Sequence, residues 1–143
     1  MKNKGVQLYR NKEAEITYSM LNMRDPIVGG SSLDKVALRR AIALSFDVNE
    51  YIRILRKGQA VKAEMLVPAG VNGHNPNYRS SIGYNPVLAN KLLDRFGYKK
   101  GADGYRRLPD GKALTLKINT ESGSASVMYG FDLILESATL PII

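Results

Sequence analysis

SSLDKVALRRAIALSFDVNEYIRILRKG, residues 31–58, contains two helix beginnings, and the architecture of the whole chain depends on counting them. Ser31 with Asp34 is the first, a capping residue followed three positions later by a carboxylate; Asp47 with Glu50 is the second. A cap oxygen accepts an orphan backbone N–H of the first turn, worth ~1 kcal/mol, and the acid sits at the positive end of the helix dipole. The segment therefore reads as two consecutive helices. In the first, Val36, Ala37, Leu38, Ala41, Ile42, Ala43, Leu44 and Phe46 wrap the circumference instead of striping it, which predicts burial on more than one side. Lys35 and Arg39 share its wettest face. In the second, Val48, Tyr51, Ile52 and Leu55 point inward, Arg53, Arg56 and Lys57 point outward near the negative end, and Gly58 stops the helix.

Upstream, residues 6–9 and 15–23 cluster or alternate β-formers, predicting a short strand and a longer one that ends at Arg24-Asp25-Pro26 and Gly29-Gly30. Downstream, residues 59–81 lose all periodicity among Pro68, Gly70, Gly73 and Pro76; a loop of that length inside a compact domain is usually functional or packed along a neighbour. A third helix opens at Asn85 as N-cap with Pro86 behind it, presents Ala89, Leu92, Leu93 and Phe96 on one face, and closes at Gly97 with Tyr98 folding back. Residues 105–108, the turn Pro109-Asp110-Gly111 and an inward-facing series of Leu114, Leu116 and Ile118 predict a hairpin. A further strand is expected at residues 128–135. The fold class is α/β, bordering on α+β, with helices packed on a small mixed sheet.

The 143 residues suit one domain, and a chain of this size buries about 70% of its unfolded surface. A net charge of +8 would suit nucleic acid or an acidic membrane face. The charges are scattered, however, with no block of five alike and no interleaving of aromatic and basic residues, which argues against nucleic acid. A basic nucleic-acid or anionic-surface module stays as the alternative, resting on charge alone. There is no cysteine, so disulfides, thiolate metal sites and thiol nucleophiles are excluded. The N-terminus MKNKGVQLYRNKE lacks the apolar core of a secretory signal, and no run approaches the roughly 20 apolar residues of a membrane span. The chain reads either as cytoplasmic or as a piece of a longer exported precursor.

Catalysis has no candidate residue. His74, the only histidine, lies in a Gly/Asn/Pro loop with no carboxylate or second imidazole at ligand spacing, so neither a metal nor acid–base work is expected there. The Gly-containing segments lack the features of a phosphate-cradling loop or dinucleotide fingerprint, and no cofactor is expected. Arg39-Arg40 could hold an anion, but arginine stems commonly lie along apolar helix surface with the head in water, and that structural reading is preferred.

The order of these residues resembles a known family. Asn22-Met23, Leu33 to Val36, Arg39-x-Ala41-Ile42 and Asp47, then Ile52, Gly58-x-Ala60, Ala63 and Pro68, are similar to the C-terminal-lobe signature of the family 5 extracellular solute-binding proteins. Tyr84-Asn85-Pro86, Ala89, Leu92-Leu93 and Gly97-Tyr98, then Gly104, Pro109-Asp110-Gly111 and Leu114-Thr115-Leu116, continue the resemblance, which spans about residues 18–120. It implies a noncatalytic part of one lobe of a two-lobed periplasmic binding protein, the component of an ABC importer that binds peptides or related small solutes and delivers them to a permease. Closure would follow from a solute bridging the two lobes and favouring the shut state. The resemblance implies that residues 1–143 are a single partial domain with an atypical tail at 121–143. It places the strand around Tyr18, Asn22 and Arg24 nearest the solute; the competing reading is that these residues only pair backbone and cap the strand. An exposed sheet edge would invite a homo-oligomer.

Overall fold

A computed structural model describes residues 5, 7, 9 and 11–119. They fall into two compact units, one of Met1–Tyr18 with Ala63–Arg79 and one of Ser19–Lys62 with Ser80–Ile143. The second unit holds all three helices found among the described residues: α1 (Leu33–Leu44), α2 (Val48–Ile54) and α3 (Pro86–Arg95).

α1 begins one residue later than its sequence signal: Ser32 is the N-cap, and its side chain makes no cap hydrogen bond. Asp34 therefore sits in the first turn, where its charge still meets the positive end of the helix dipole. The other two caps are built as the sequence predicts. The Asp47 carboxylate accepts from the backbone N–H groups of Asn49 and Glu50, and Asn85 Oδ1 accepts from Leu88 N–H at 2.9 Å with Pro86 at the first helical position. Asn85 N–H also donates to Leu44 O at 2.8 Å, tying the start of α3 to the end of α1.

The core of this unit is Val28, Leu38, Ala41, Ala89, Leu93, Tyr98, Leu114 and Leu116, with Ile42, Phe46, Phe96 and Ile118 packed around it. α1 and α3 meet through Ala37, Leu38 and Ala41 on one side and Ala89 and Leu93 on the other. α3 closes as a Schellman motif: Tyr98 N–H donates to Leu93 O at 2.9 Å and Gly97 N–H to Asp94 O at 3.3 Å, with Gly97 at φ +85°. That turn drives Tyr98 back onto Leu93. Burial, then the negative charge of Asp34, pushes the Tyr98 phenol up to about 12, so it stays neutral in ordinary buffers.

α2 departs from expectation. None of its residues is fully buried, although Val48, Tyr51, Ile52 and Leu55 are half-buried as a set. Tyr51 packs against Phe46 with ring centroids 5.6 Å apart and carries the Arg56 guanidinium 5.7 Å above its ring. Seven residues make barely two turns, a short surface on which to build a fully buried face.

The turn of the predicted hairpin forms at Leu108–Gly111, whereas its two arms, expected as strands, make no continuous strand among the described residues. Gly111 N–H donates to Leu108 O and Leu108 N–H to Lys112 O, each at 2.8 Å, and Leu114 and Leu116 face the core. Among the described residues, isolated antiparallel bridges pair Lys100 with Arg106 and Arg107 with Ala113. Residues 15–23 form no strand. Among the described residues they meet no partner ladder, and Tyr18 and Met20 remain 64% and 83% exposed. The expected strand at 6–9 falls partly outside the described residues, and that at 128–135 wholly so.

In the first unit the excursion from Ala63 is a succession of turns. Val71 N–H reaches Pro68 O, His74 N–H reaches Val71 O and Tyr78 N–H reaches Asn75 O. His74 is half-buried, not freely solvated: its Nδ1 lies 2.8 Å from Val67 O, so that nitrogen carries the proton and donates.

Candidate functional site

The turn at residues 22–30 is built from its own polar groups. Asn22 Oδ1 accepts from Arg24 N–H at 3.0 Å, and Asn22 O accepts from Asp25 N–H at 3.1 Å. Asp25 Oδ1 then accepts from Ile27 N–H at 2.8 Å and Val28 N–H at 3.0 Å. Those two amides, with smaller help from Lys117 and Lys35, hold the Asp25 carboxyl below the usual range. Gly29 N–H returns to Asp25 O at 2.9 Å, and Gly30 N–H to Met23 O at 3.1 Å. The chain curls so tightly that a Cβ on Gly29 would stand 2.4 Å from the carbonyl oxygens of both Asp25 and Met23.

α1 clamps this turn from outside. Lys35 Nζ donates to Pro26 O at 2.7 Å, and Arg39 Nη1 donates to Val28 O at 2.6 Å and to Gly30 O at 2.8 Å. Lys35 and Arg39 thus do not occupy the wettest face of α1; they cross to the turn and satisfy its carbonyls. Arg39 is spent structurally, and its neighbour Arg40 is exposed. Because both oxygens flanking Gly29 are backbone, Gly29→Ala cannot be relieved by a rotamer change. It is expected to destabilise the chain by about 1–3 kcal/mol, read as a lowered urea midpoint.

Of the residues placed near a solute by the resemblance, Asn22 and Arg24 stand on this clamped turn and Tyr18 lies in the other unit, 64% exposed. Asn22 caps the turn through its side chain, while Arg24 is exposed. Among the described residues no group of three or more His, Cys, Asp or Glu is placed to hold a metal ion.

Among the described residues the most buried charge is Arg106, which the sequence reading did not single out. Arg106 is 1% exposed, its Nη1 donating to Asp94 Oδ1 at 2.6 Å and Tyr98 O at 2.5 Å and its Nη2 to Asn90 Oδ1 at 2.5 Å. Its Nε is buried without a partner. Asn90, Asp94, Lys99, Lys100 and Arg106 line an open concavity of about 630 Å3. The signal was present: in a hairpin arm whose Leu108 faces in, the period of two turns Arg106 inward and Arg107 outward. Arg107 accordingly pairs with Asp103.

The chain belongs to the bacterial extracellular solute-binding proteins, family 5, matching the family's middle region over residues 1–131. Among solved structures it is similar to NikA from Brucella suis in complex with Fe(III)-EDTA, with a TM-score of 0.61, 26% identity and coverage of 76% of this chain and 22% of that one. It is also similar to the periplasmic oligopeptide-binding protein of an oligopeptide ABC transporter from Thermotoga maritima, with a TM-score of 0.61, 24% identity and coverage of 82% and 24%. The mannohexaose-bound form of the Thermotoga maritima protein gives 0.61, 24%, 81% and 23%. The chain therefore spans less than a quarter of the length of each. No curated protein sequence matches it. The fold class is that of a fragment of one lobe of a two-lobed periplasmic binding protein, helices covering little strand.

Proposed function

We propose that this chain is part of the solute-binding component of an ABC importer, working outside the cytoplasmic membrane on peptides or related small solutes and handing them to a permease. The observation that carries this reading is the family match over residues 1–131; the Thermotoga maritima neighbour, an oligopeptide-binding protein, supports the peptide class. In this reading Tyr18, Asn22 and Arg24 contribute to the solute contact, the chain acts as one partial domain, and it binds without catalysing. A two-lobed binder grips by a solute that contacts both lobes, so its affinity is divided between them. The chain spans less than a quarter of its structural neighbours, so most of such a grip lies outside it. Isothermal titration calorimetry of this chain with short peptides is expected to show binding much weaker than micromolar. Micromolar or tighter peptide binding by the chain alone would contradict the division of the cleft between lobes.

A further inference from the structure

We propose that the concavity where α3 meets the hairpin is an anion site that takes a phosphate group, held by the Lys99 and Lys100 ammoniums over the buried Arg106 guanidinium. None of the residues read as solute contacts lines it, so it stands or falls apart from them. Its walls are Asn90, Asp94, Lys99, Lys100 and Arg106, three cations against one carboxylate. The excess persists in the surrounding chain. Residues 90–112 carry seven cations and three carboxylates, and every carboxylate already has a cation on it: Asp94 has Arg106, Asp103 has Arg107 and Asp110 has Lys112. Lys91, Arg95, Lys99 and Lys100 are left over. Arg95 lies 5.8 Å above the Phe96 ring; the three lysines are exposed, and their ammoniums make no hydrogen bond or ion pair among the described residues. Asp34, a carboxylate from outside this segment, acts on the Tyr98 phenol, the opposite end of that residue from the carbonyl that Arg106 holds, and is itself beside Lys35. The concavity therefore sits in a positive field.

Arg106 also has donors to spare. Of its five N–H groups, Nη1 uses two on Asp94 and the Tyr98 carbonyl and Nη2 uses one on Asn90, which leaves one Nη2 N–H and the buried, unpartnered Nε–H. An orphan donor on a guanidinium that walls an open concavity favours an oxygen-rich anion there. Asn90 does not compete for the cations: its Oδ1 is held by Arg106, and its Nδ2 donates to Pro86 O at 2.9 Å. Asp94 Oδ2, without a hydrogen bond among the described residues, is the one repulsive group, and at 64% exposure of the side chain water weakens its effect. Two flexible ammoniums act as point charges and suit oxygens spread over a tetrahedron, whereas a lone carboxylate is met best by an exposed planar fork, which the buried Arg106 does not present. The space of about 630 Å3 accommodates a phosphate together with the group that bears it.

The test uses the full chain and three probes: inorganic phosphate, the soluble phosphodiester glycerophosphoglycerol, and acetate. Backbone amide shifts of residues 90–106 are followed by 15N NMR at low salt. Phosphate is expected to shift these amides saturably in the millimolar range, with the effect shrinking as salt is raised, and acetate to bind several-fold more weakly. The diester separates the sources: binding as tight as phosphate marks a lipid head group, and weaker binding marks free phosphate or a monoester. Replacing both lysines, Lys99→Gln with Lys100→Gln, is expected to weaken phosphate by about fivefold, while Arg40→Gln, at an exposed arginine of α1 outside the concavity, leaves it unchanged. Asp94→Asn keeps an oxygen for Arg106 but removes the only carboxylate of the wall, and is expected to tighten phosphate by about threefold, a gain that a merely structural Asp94 would not give. Both lysines are exposed, so their double variant is expected to match the wild-type circular dichroism spectrum. The site is overturned if neither phosphate probe shifts residues 90–106 saturably, if acetate binds as tightly as phosphate, or if the double-lysine variant binds phosphate unchanged. Equal weakening in Arg40→Gln would mark a diffuse surface charge, and no tightening in a folded Asp94→Asn chain would place the phosphate elsewhere; either overturns it as well.

Discussion

Arg106→Ala is expected to destabilise the chain by about 3 kcal/mol, at the lower end of what breaking a buried ion pair costs. The substitution strips donors from the Tyr98 carbonyl and the Asn90 amide oxygen, and both then face a cavity the size of the lost side chain. Asp94, by contrast, is 64% exposed and recovers water when its partner leaves, which is why the cost stays below the top of the range. Arg106→Lys is expected to recover little, because one ammonium cannot span three acceptors that a planar fork reaches together. Arg106→Met separates charge from volume: it fills the space and removes the unpartnered Nε, yet still orphans Tyr98 O. It should fall between wild type and alanine. Urea unfolding of the full chain followed by circular dichroism measures all three, and an Arg106→Ala loss under about 1 kcal/mol would show that the guanidinium is not the tie between α3 and the hairpin.

Leu93→Ala is the second large effect, with an expected cost of about 2–5 kcal/mol. Leu93 is completely buried where α3 meets α1, and it is also the residue whose carbonyl receives Tyr98 N–H in the helix-ending turn. Shortening it opens a cavity between Leu38, Tyr98 and the hairpin's Leu114, all themselves inaccessible and held by separate elements, so the walls cannot easily collapse inward. Leu92→Ala, one residue away and half-buried, provides the comparison and should cost less than half as much, since less of its side chain leaves water on folding. Equal effects from Leu92 and Leu93 would mean that α3 presents a different face to the core.

Much of the helical content was legible because helix starts and stops are written in a few adjacent residues. Asp47 with Glu50, Asn85 with Pro86, and Gly97 with Tyr98 each satisfy backbone groups within four or five positions, and the structure builds all three. The first start was misplaced by one because two serines compete for the role, and Ser32 wins without using its hydroxyl as a cap. Strand was over-read. Alternating β-formers at residues 15–23 describe a surface suited to pairing, but a strand exists only where a partner supplies the ladder, and none does among the described residues. Of the candidate contacts, the sequence pointed to Asn22 and Arg24 through resemblance, yet it did not show that their turn is gripped by α1.

What the amino-acid sequence determined alone is the set of local decisions: three helices, their apolar faces, the hairpin turn, and the order of motifs that marks the family. What only the tertiary structure decided is where the charges go. Arg39 reaches Val28 across eleven positions, and Arg106 reaches Asp94 and Asn90 across twelve and sixteen. Bonds of that span form only after α1, the turn, α3 and the hairpin have been brought together by burial of Leu38, Leu93, Tyr98 and Leu114. Periodicity registers whether a side chain faces inward, whereas the partner that makes an inward charge tolerable is fixed by packing between elements that local pattern does not connect.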